Sequence, residues 1–464
     1  MTNEFSHSYL PHGSRDRHAM LDRLGAAGVE DLFTAIPQEL RDPAIALPEP
    51  LTEPEVCEEV KAFADRNRTW GGRSFTGAGC YRHHVPAAVR VLTGRGEFAT
   101  AYTPYQAEVS QGTLQHIFEF QTAVCALTGL DVANASLWDG PSAAAEGAFL
   151  ALRHTKREQF AYSSGLHPET IEVLETYAGG PGFATAALPL DARTGRTPAP
   201  QAEELSACGA LLVQQPNFLG VIEDLRPLAE TAHAAGALLV VSHDPLTLGL
   251  LADPGSLGAD VVVGDVQAFG NAMSFGGPSA GYMACRDTYL RQLPGRLVGR
   301  TIDADGRTCY TLTLQAREQH IRRAKATSNI CSNQALCALA ATVYLALLGP
   351  RGLRRLGELC VARSHRLAAL LTDLPGVTLL CDAPYFNEFA LRLPLPASDF
   401  ARAMKSRGID PGVPLSRFGE AFPADVLLVA VTELNSPPLL AEYVEAAREA
   451  LKVDEGSATR RGPS

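Results

Sequence analysis

Lysine is scarce in this chain of 464 residues. Of the 40 basic residues, 35 are arginine. The five lysines are Lys61, Lys156, Lys325, Lys405 and Lys452. A GC-rich genome would produce the same bias, so the low total says little about function. Chemistry that requires a lysine amine is nevertheless limited to these five positions, and none of them lies between residues 157 and 324.

Several other features are missing from the sequence. Its 10 cysteines form no CxxC pair, and neither His83-His84 nor His320 has the spacing of a metal site. We therefore predict reduced thiols in a cytoplasmic protein without a bound metal. Cys331 could be a redox-sensitive thiol, but packing in the interior is the simpler interpretation.

Export, membrane insertion and nucleic-acid binding are also not indicated. The N-terminus lacks the charged-then-apolar pattern of a signal peptide. The apolar run from Ala335 to Leu348 spans about 14 residues, which is short for a bilayer and typical of a buried core helix. The formal charge of −11 disfavours binding to nucleic acid or to an anionic membrane.

The pattern of apolar segments predicts an α/β protein. Between residues 112 and 290, short apolar runs alternate with segments of helical spacing, which is typical of a mostly parallel sheet covered by helices. We predict a large α/β domain followed by a small C-terminal α+β domain. The predicted parts are an N-terminal arm with a helical segment (1–70), the large domain (71–330), a linking helix with the small domain (331–453) and a disordered tail (454–464).

This arrangement is typical of many enzymes that depend on pyridoxal phosphate (PLP), the fold type I or aminotransferase-like class. Gly140 and Ser142 lie in a turn before a predicted helix, where backbone N–H groups could bind the phosphate. Asp244 follows a predicted strand and could pair with the pyridinium nitrogen. An ordinary helix cap and an ordinary strand-end turn would look the same in the sequence.

The lysine that should anchor PLP is missing. We expect it shortly after the strand at 260–263, because such enzymes hold PLP as a Schiff base. Gln267 lies near the expected position, and Lys325 comes about 60 residues too late for this fold. The sequence thus predicts a PLP-enzyme fold without a covalent anchor, and an enzyme that uses Lys325 is the less favoured alternative.

Several long stretches resemble the glycine decarboxylase P-protein family. They are Thr100–Gln106, Glu108–Gln115, Val213–Asp224, Asp244–Leu250, Ser274–Pro278, Leu293–Gly299 and Lys325–Cys331. The resemblance runs from about Tyr9 to at least Leu356. Within the family, the chain is similar to the subunits that form the N-terminal half of the two-subunit bacterial enzyme, in which the second subunit carries the PLP lysine.

The resemblance implies a function in glycine decarboxylation. PLP would be held covalently by the partner subunit, and the aminomethyl group would pass to the lipoyl group of H-protein. This chain, inactive alone, would complete the partner's active site in an αβ or α₂β₂ heteromer. Candidate contributors are Tyr102, Thr103, Tyr105, Gln106, Thr327, Ser328 and Asn329. Arg296 and Arg300 are candidates for contacts with a carboxylate or with the partner.

Other interpretations remain open. The tyrosines could simply pack in an interface, and the 327–329 segment could cap the following helix. Trp138 and Pro141 depart from the family's usual residues, and Ser242-His243 before Asp244 is also unusual. The chain could therefore be a specialised paralogue that acts on another amino acid, or a non-catalytic scaffold or regulatory protein.

Overall fold

A computed structural model describes residues 9, 12–41, 43, 46–330 and 332–452. The predictions for Cys331 and for the tail at 454–464 fall outside the described residues. Contacts divide the chain into two compact units, residues 1–68 and 69–464.

The first unit contains two helices, α1 (Ser14–Leu24) and α2 (Glu53–Ala64). Thr52 is the N-cap of α2. The Thr52 hydroxyl lies 2.6 Å from a Glu55 carboxylate oxygen, and the backbone N–H of Thr52 donates to the same oxygen at 2.8 Å. This arrangement satisfies donors that the first turn of a helix leaves free.

The second unit begins with a large α/β domain. Its first six helices are α3 (Ala87–Thr93), α4 (Gly96–Ala99), α5 (Gln111–Thr128), α6 (Gly140–Thr155), α7 (Pro168–Gly179) and α8 (Leu225–Ala234). Its main sheet contains β1 (Val132–Ala133), β2 (Gln159–Ser163), β3 (Ala184–Leu188), β4 (Ala210–Gln215), β5 (Leu238–His243), β6 (Val261–Asp265) and β7 (Gly281–Cys285).

The strand order of this sheet is β1-β7-β6-β5-β4-β2-β3. Strands β2 to β6 pair in parallel, whereas β7 pairs antiparallel with both β6 and β1. The apolar strands are buried on both faces, as in covered parallel sheets. Along β5, for example, Leu239 and Val241 pack on one face while Leu238 and Val240 pack on the other. The predicted mostly parallel sheet is confirmed.

The polar stretch after residue 290 contains elements that the sequence did not reveal. An antiparallel hairpin of β8 (Leu297–Ile302) and β9 (Thr308–Thr313) packs on α5, and the short helix α9 (Gln319–Arg322) follows it. The Gln121 side chain, on α5, bonds both the N–H and the carbonyl of Val298. The apolar residues of the two strands do not alternate regularly with polar ones, so the strand pattern is weak in the sequence.

The helix α10 (Ala335–Thr372) links the two domains, and Gly349-Pro350 interrupts it. Gly349 has a φ of 59°, so the element consists of two helical segments, and the first corresponds to the core helix predicted at Ala335–Leu348. Among the described residues it is the one helix with the length and apolar composition of a membrane span. The buried part of its first segment, including Ala338, Ala341 and Tyr344, belongs to the core of the large domain.

The small domain has an antiparallel sheet of order β10-β11-β13-β12. Its elements are β10 (Thr378–Leu379), β11 (Glu388–Arg392), α11 (Ala397–Ser406), β12 (Val413–Pro414), β13 (Val426–Ala430) and α12 (Pro437–Lys452). Phe75 also belongs to this core, because its backbone bonds those of Asp410 and Ala430. The segment around residue 75, which we assigned to the large domain, thus packs on the small one.

Candidate functional site

A cleft of about 390 Å³ lies where the carboxyl ends of β4, β5 and β6 face the small domain. Ligands in open α/β sheets usually bind at this edge. Five carboxylates line it, from Asp139, Glu169, Asp244, Asp265 and Glu388. No lysine or arginine is found among the described residues that line the cleft.

The two lining histidines offset this negative charge little. Burial lowers the pKa of His243 to about 4, and it also lowers the pKa of His167. Both rings are therefore neutral near pH 7. The cleft consequently presents an acidic lining without a fixed positive charge.

The N-terminus of α6 faces the cleft, as the sequence predicts for Gly140. Its donors are already used. The N–H of Gly140 donates to the Asp265 carboxylate at 3.1 Å. The N–H of Ser142 donates to the Asp139 carboxylate at 2.8 Å, and the Ser142 hydroxyl bonds the Asp139 backbone. Ser142 is buried in the first turn of α6, which Asp139 caps, whereas Gly140 lines the cleft.

Asp244 follows β5 and lines the cleft. One of its carboxylate oxygens accepts the N–H of Leu246 at 3.0 Å, which is the strand-end turn that we considered as an alternative role. Burial raises the pKa of Asp244 above its ordinary value. The structure thus places Asp244 at the predicted site but also gives it a local structural partner.

Gln267 lies in the cleft and closes on a segment that is distant in the sequence. Its side-chain oxygen accepts the N–H of Tyr81, and its NH₂ group donates to the carbonyls of Tyr81 and Asn271, all at 2.9–3.0 Å. A lysine amine could not replace this pattern, since it has no acceptor. Gln267 therefore holds the Tyr81 backbone at the position where we expected the PLP lysine.

The sequence did not draw attention to Glu388 and Tyr81, which form the opposite wall. Glu388 begins β11, and its carboxylate accepts the Tyr81 hydroxyl at 2.8 Å and the N–H of Ala78 at 2.7 Å. Burial raises the pKa of Glu388 to about 7, and Asp244 adds to this effect. The pattern around Glu388 carries no local motif, and its partners lie 307 and 310 residues away, so only the fold reveals this pair.

The cleft does not fit a PLP anchored on this chain. Such a cofactor requires a lysine amine and free donors for its phosphate. Gln267 occupies the position expected for the lysine. The Asp265 carboxylate accepts the N–H groups that would otherwise be free to bind the phosphate. Lys325 is exposed and is not among the residues that line the cleft.

The predicted partner-site residues lie outside the cleft lining, and the structure brings several of them together around Arg296. The Arg296 guanidinium lies 3.5 Å from the Thr103 hydroxyl and 5.5 Å from the centre of the Tyr105 ring. Arg296 is 5% exposed, yet no carboxylate pairs with it among the described residues, and its Nε has no partner there. Tyr102 is 90% exposed beside this group, and Gln106 and Arg300 are exposed too.

The second predicted segment, 327–329, lies before α10. The Ser328 hydroxyl donates to the buried Glu146 carboxylate at 2.7 Å and accepts the N–H of Ile330. Asn329 is exposed, whereas Thr327 is half-buried. Ser328 is thus fixed to α6 by a buried contact, and Asn329 is free to face a partner.

The side chains of His83, Cys360 and Glu433 come together, with one potential metal-ligand atom of each within 4.8 Å of the others. Nδ1 of His83 lies 2.7 Å from a Glu433 carboxylate oxygen, and the N–H of His84 donates to the other oxygen at 2.6 Å. The Cys360 thiol lies 3.9 Å from Glu433. These contacts connect the loop at 83–84 to the small domain. His320 packs edge-on against the Tyr105 ring.

Comparison with known proteins gives one consistent result. The family model described as "Glycine cleavage system P-protein" matches residues 7–435. The chain is 49% identical over 449 residues to the "Probable glycine dehydrogenase (decarboxylating) subunit 1" of Rhodospirillum rubrum, which covers 96% of this chain and 100% of that protein. A protein of the same name from Nitratidesulfovibrio vulgaris is 49% identical over 428 residues, which is 92% of this chain and 96% of that protein.

Solved structures agree with this result. A crystal structure of glycine decarboxylase (P-protein) of the glycine cleavage system, in inhibitor-bound form, matches with a TM-score of 0.88 and 48% identity, over 96% of this chain and 100% of that chain. A sphingosine-1-phosphate lyase from Burkholderia pseudomallei matches with a TM-score of 0.64 at 16% identity, over 91% and 96% of the two chains, which shows the fold alone. These matches confirm the predicted PLP-dependent fold type I.

Proposed function

This chain belongs to the glycine cleavage system P-protein family, and from that premise we propose that it is the glycine decarboxylase subunit that holds no cofactor covalently. In this proposal it completes the active site of a second subunit, which carries the PLP lysine. The observation that carries the proposal is Gln267, which replaces the expected lysine and has its amide fully hydrogen-bonded within the cleft. An anchor is therefore needed on another chain.

The proposed reaction is the decarboxylation of glycine and the transfer of the aminomethyl group to the lipoyl group of H-protein. When bound to the partner, PLP would withdraw the electrons that remain as CO₂ leaves. The other contributions to catalysis would come from side chains that orient glycine and the lipoyl arm and that exclude water. Such positioning contributes much of the rate enhancement in enzymes.

We assign the main contribution of this chain to Thr103, Tyr105 and Arg296. Burial of an arginine without a carboxylate partner destabilises the protein, because no ion pair offsets the desolvation of the charge. An anionic group from the partner or the substrate would offset this desolvation penalty, since a guanidinium binds carboxylates with two parallel hydrogen bonds. Thr103 and the Tyr105 ring hold the guanidinium in place. The exposed Tyr102 and Gln106 would contact the partner directly.

Thr327, Ser328 and Asn329 form a second proposed contact region. Glu146 fixes the Ser328 hydroxyl, and the neighbouring Asn329 is exposed. We propose that they contact the partner near its bound cofactor. The assembly would be an αβ pair or its α₂β₂ dimer, located in the cytoplasm.

The first experiment is co-expression with the lysine-bearing subunit of the same organism. We expect the tagged chain to co-purify with that subunit and the complex to release labelled CO₂ from glycine when lipoylated H-protein is present. The isolated chain should release none. A folded chain that captures no such subunit would identify a scaffold, and a complex that prefers another amino acid would identify a specialised paralogue.

The role of Arg296 is tested with Arg296→Gln, and Arg291→Gln, at an exposed position outside the proposed contact regions, is the matched control. Loss of a charge-assisted hydrogen bond predicts a fall in kcat/KM of about tenfold or more for the first variant. The second should stay near the wild-type value. Complex formation is measured separately by size exclusion, so lost assembly is distinguished from lost activity. Equal activity of the two variants would refute the assignment.

A further inference from the structure

We propose that the Asp265 carboxylate is an internal substitute for a phosphate group, which makes this cleft reject phosphate-bearing ligands even when they are not covalently attached. The proposal concerns ligand selection by the cleft of this chain alone. It does not require the partner subunit, so it can fail while the proposed function stands.

The geometry around Asp265 is that of a bound phosphate. One carboxylate oxygen accepts the N–H of Gly140 at 3.1 Å, and the other accepts the N–H of Gln267 at 2.8 Å and the hydroxyl of Ser279. The Gly140 N–H lies at the N-terminus of α6, the Gln267 N–H lies in the turn after β6, and Ser279 adds a hydroxyl; phosphate sites commonly use backbone and hydroxyl donors of these kinds. Asp265 satisfies all three from within the chain.

The other residues in the first turn of α6 offer no free N–H donor for a phosphate. Pro141 has no N–H group. The N–H groups of Ser142 and Ala143 donate to the Asp139 carboxylate and carbonyl at 2.8 and 3.0 Å. A phosphate that entered the cleft would therefore have to displace a carboxylate of this chain to obtain any donor from the α6 N-terminus.

The negative charge around Asp265 also disfavours the binding of a phosphate. Asp139 and Asp244 line the same cleft as Asp265, and neither lysine nor arginine balances them among the described lining residues. Burial raises the pKa of Asp265 to about 6, yet its carboxyl group remains largely ionised above pH 7. An incoming phosphate would meet this negative charge in a partly desolvated site, where repulsion is poorly screened.

The experiment measures binding of pyridoxamine 5′-phosphate to the purified full-length chain by isothermal titration calorimetry. This probe cannot form a Schiff base with a lysine, so surface lysines do not contribute. The test variant is Asp265→Ser, which removes the carboxylate and keeps a small polar group. Asp305→Ser is the matched control, because Asp305 is an exposed carboxylate outside the cleft lining. Unphosphorylated pyridoxamine shows whether the phosphate is the recognised group.

We expect the wild type and Asp305→Ser to bind the phosphorylated probe at least about tenfold more weakly than Asp265→Ser does, since the variant frees charge-assisted donors. Pyridoxamine should show no such gain. Equal affinities of wild type and Asp265→Ser for the phosphorylated probe, or an equal gain for pyridoxamine, would overturn the proposal.

A second variant keeps the test decisive if Asp265→Ser does not fold. Gln267→Lys introduces an amine in the cleft but leaves Asp265 in place. After incubation with PLP and borohydride reduction, peptide mass spectrometry should find no more cofactor at position 267 than at the exposed Lys325. Selective labelling of position 267 would show that the cleft accepts the phosphate despite Asp265, and it would refute the proposal.

Discussion

Replacement of Glu388 by glutamine should make the stability of the protein less sensitive to pH. Glu388 is buried, and its pKa is raised from 4.5 to about 7 because burial disfavours the charged form. In the unfolded chain the carboxyl group ionises near its ordinary value. Between pH 4.5 and about 7 the native state therefore binds more protons at this site than the unfolded state does.

The sign and size follow from this difference. Stability from Glu388 is fully present below pH 4.5 and is lost as the pH rises through about 7. The shift corresponds to about 3 kcal/mol between the two ends of the window. Glutamine keeps the shape, accepts from Ala78 and can donate to the Tyr81 hydroxyl, but it does not titrate.

The assay is urea unfolding followed by circular dichroism at several pH values across this window. The free energy of unfolding of Glu388→Gln, relative to wild type, should increase by about 3 kcal/mol from the acidic to the neutral end. Glu420→Gln, at an exposed position, should follow the wild type throughout. A constant difference between Glu388→Gln and wild type would refute the electrostatic account of this wall of the cleft.

Three further changes test other parts of the structure. Gly220→Ala should destabilise the protein by about 2 kcal/mol or more, because φ is +83° and a Cβ would lie 1.9 Å from the Glu388 carbonyl oxygen; thermal unfolding measures this. His83→Ala should cost about 1–3 kcal/mol in urea unfolding, because it leaves buried Glu433 without its 2.7 Å partner. Lys325→Ala should leave the PLP spectrum of the complex unchanged and alter stability by less than about 0.5 kcal/mol, and a lost cofactor band would contradict this account.

Local patterns in the sequence were sufficient for the strands β4 to β7 and for most helices, but they did not identify β1, β2 or β3. The apolar runs at β4, β5 and β6 are buried on both faces, so hydrophobicity alone marks them. The hairpin of β8 and β9 was missed, because apolar and polar residues do not alternate regularly along either strand. We assigned Phe75 to the large domain, whereas it packs in the core of the small domain. Its backbone contacts there involve residues more than 330 positions away, which local sequence patterns do not reveal.

The candidate site was only partly predictable. Gly140, Asp244 and Gln267 lie in the cleft as expected from their places after strands and before a helix. The N–H of Ser142 instead donates to Asp139, the residue that caps α6. The roles of Asp265 and Glu388 depend on partners brought together by the fold, and a carboxylate that satisfies phosphate donors has no signature in a single sequence.

The central claim is that this chain supplies a missing part of an active site whose lysine belongs to another polypeptide. The most direct measurement titrates a fixed amount of the PLP-bearing subunit with this chain and follows the release of labelled CO₂ from glycine with lipoylated H-protein. The account predicts negligible activity without this chain, a linear rise on its addition and saturation at equimolar amounts. An activity that is already maximal before the chain is added would contradict it.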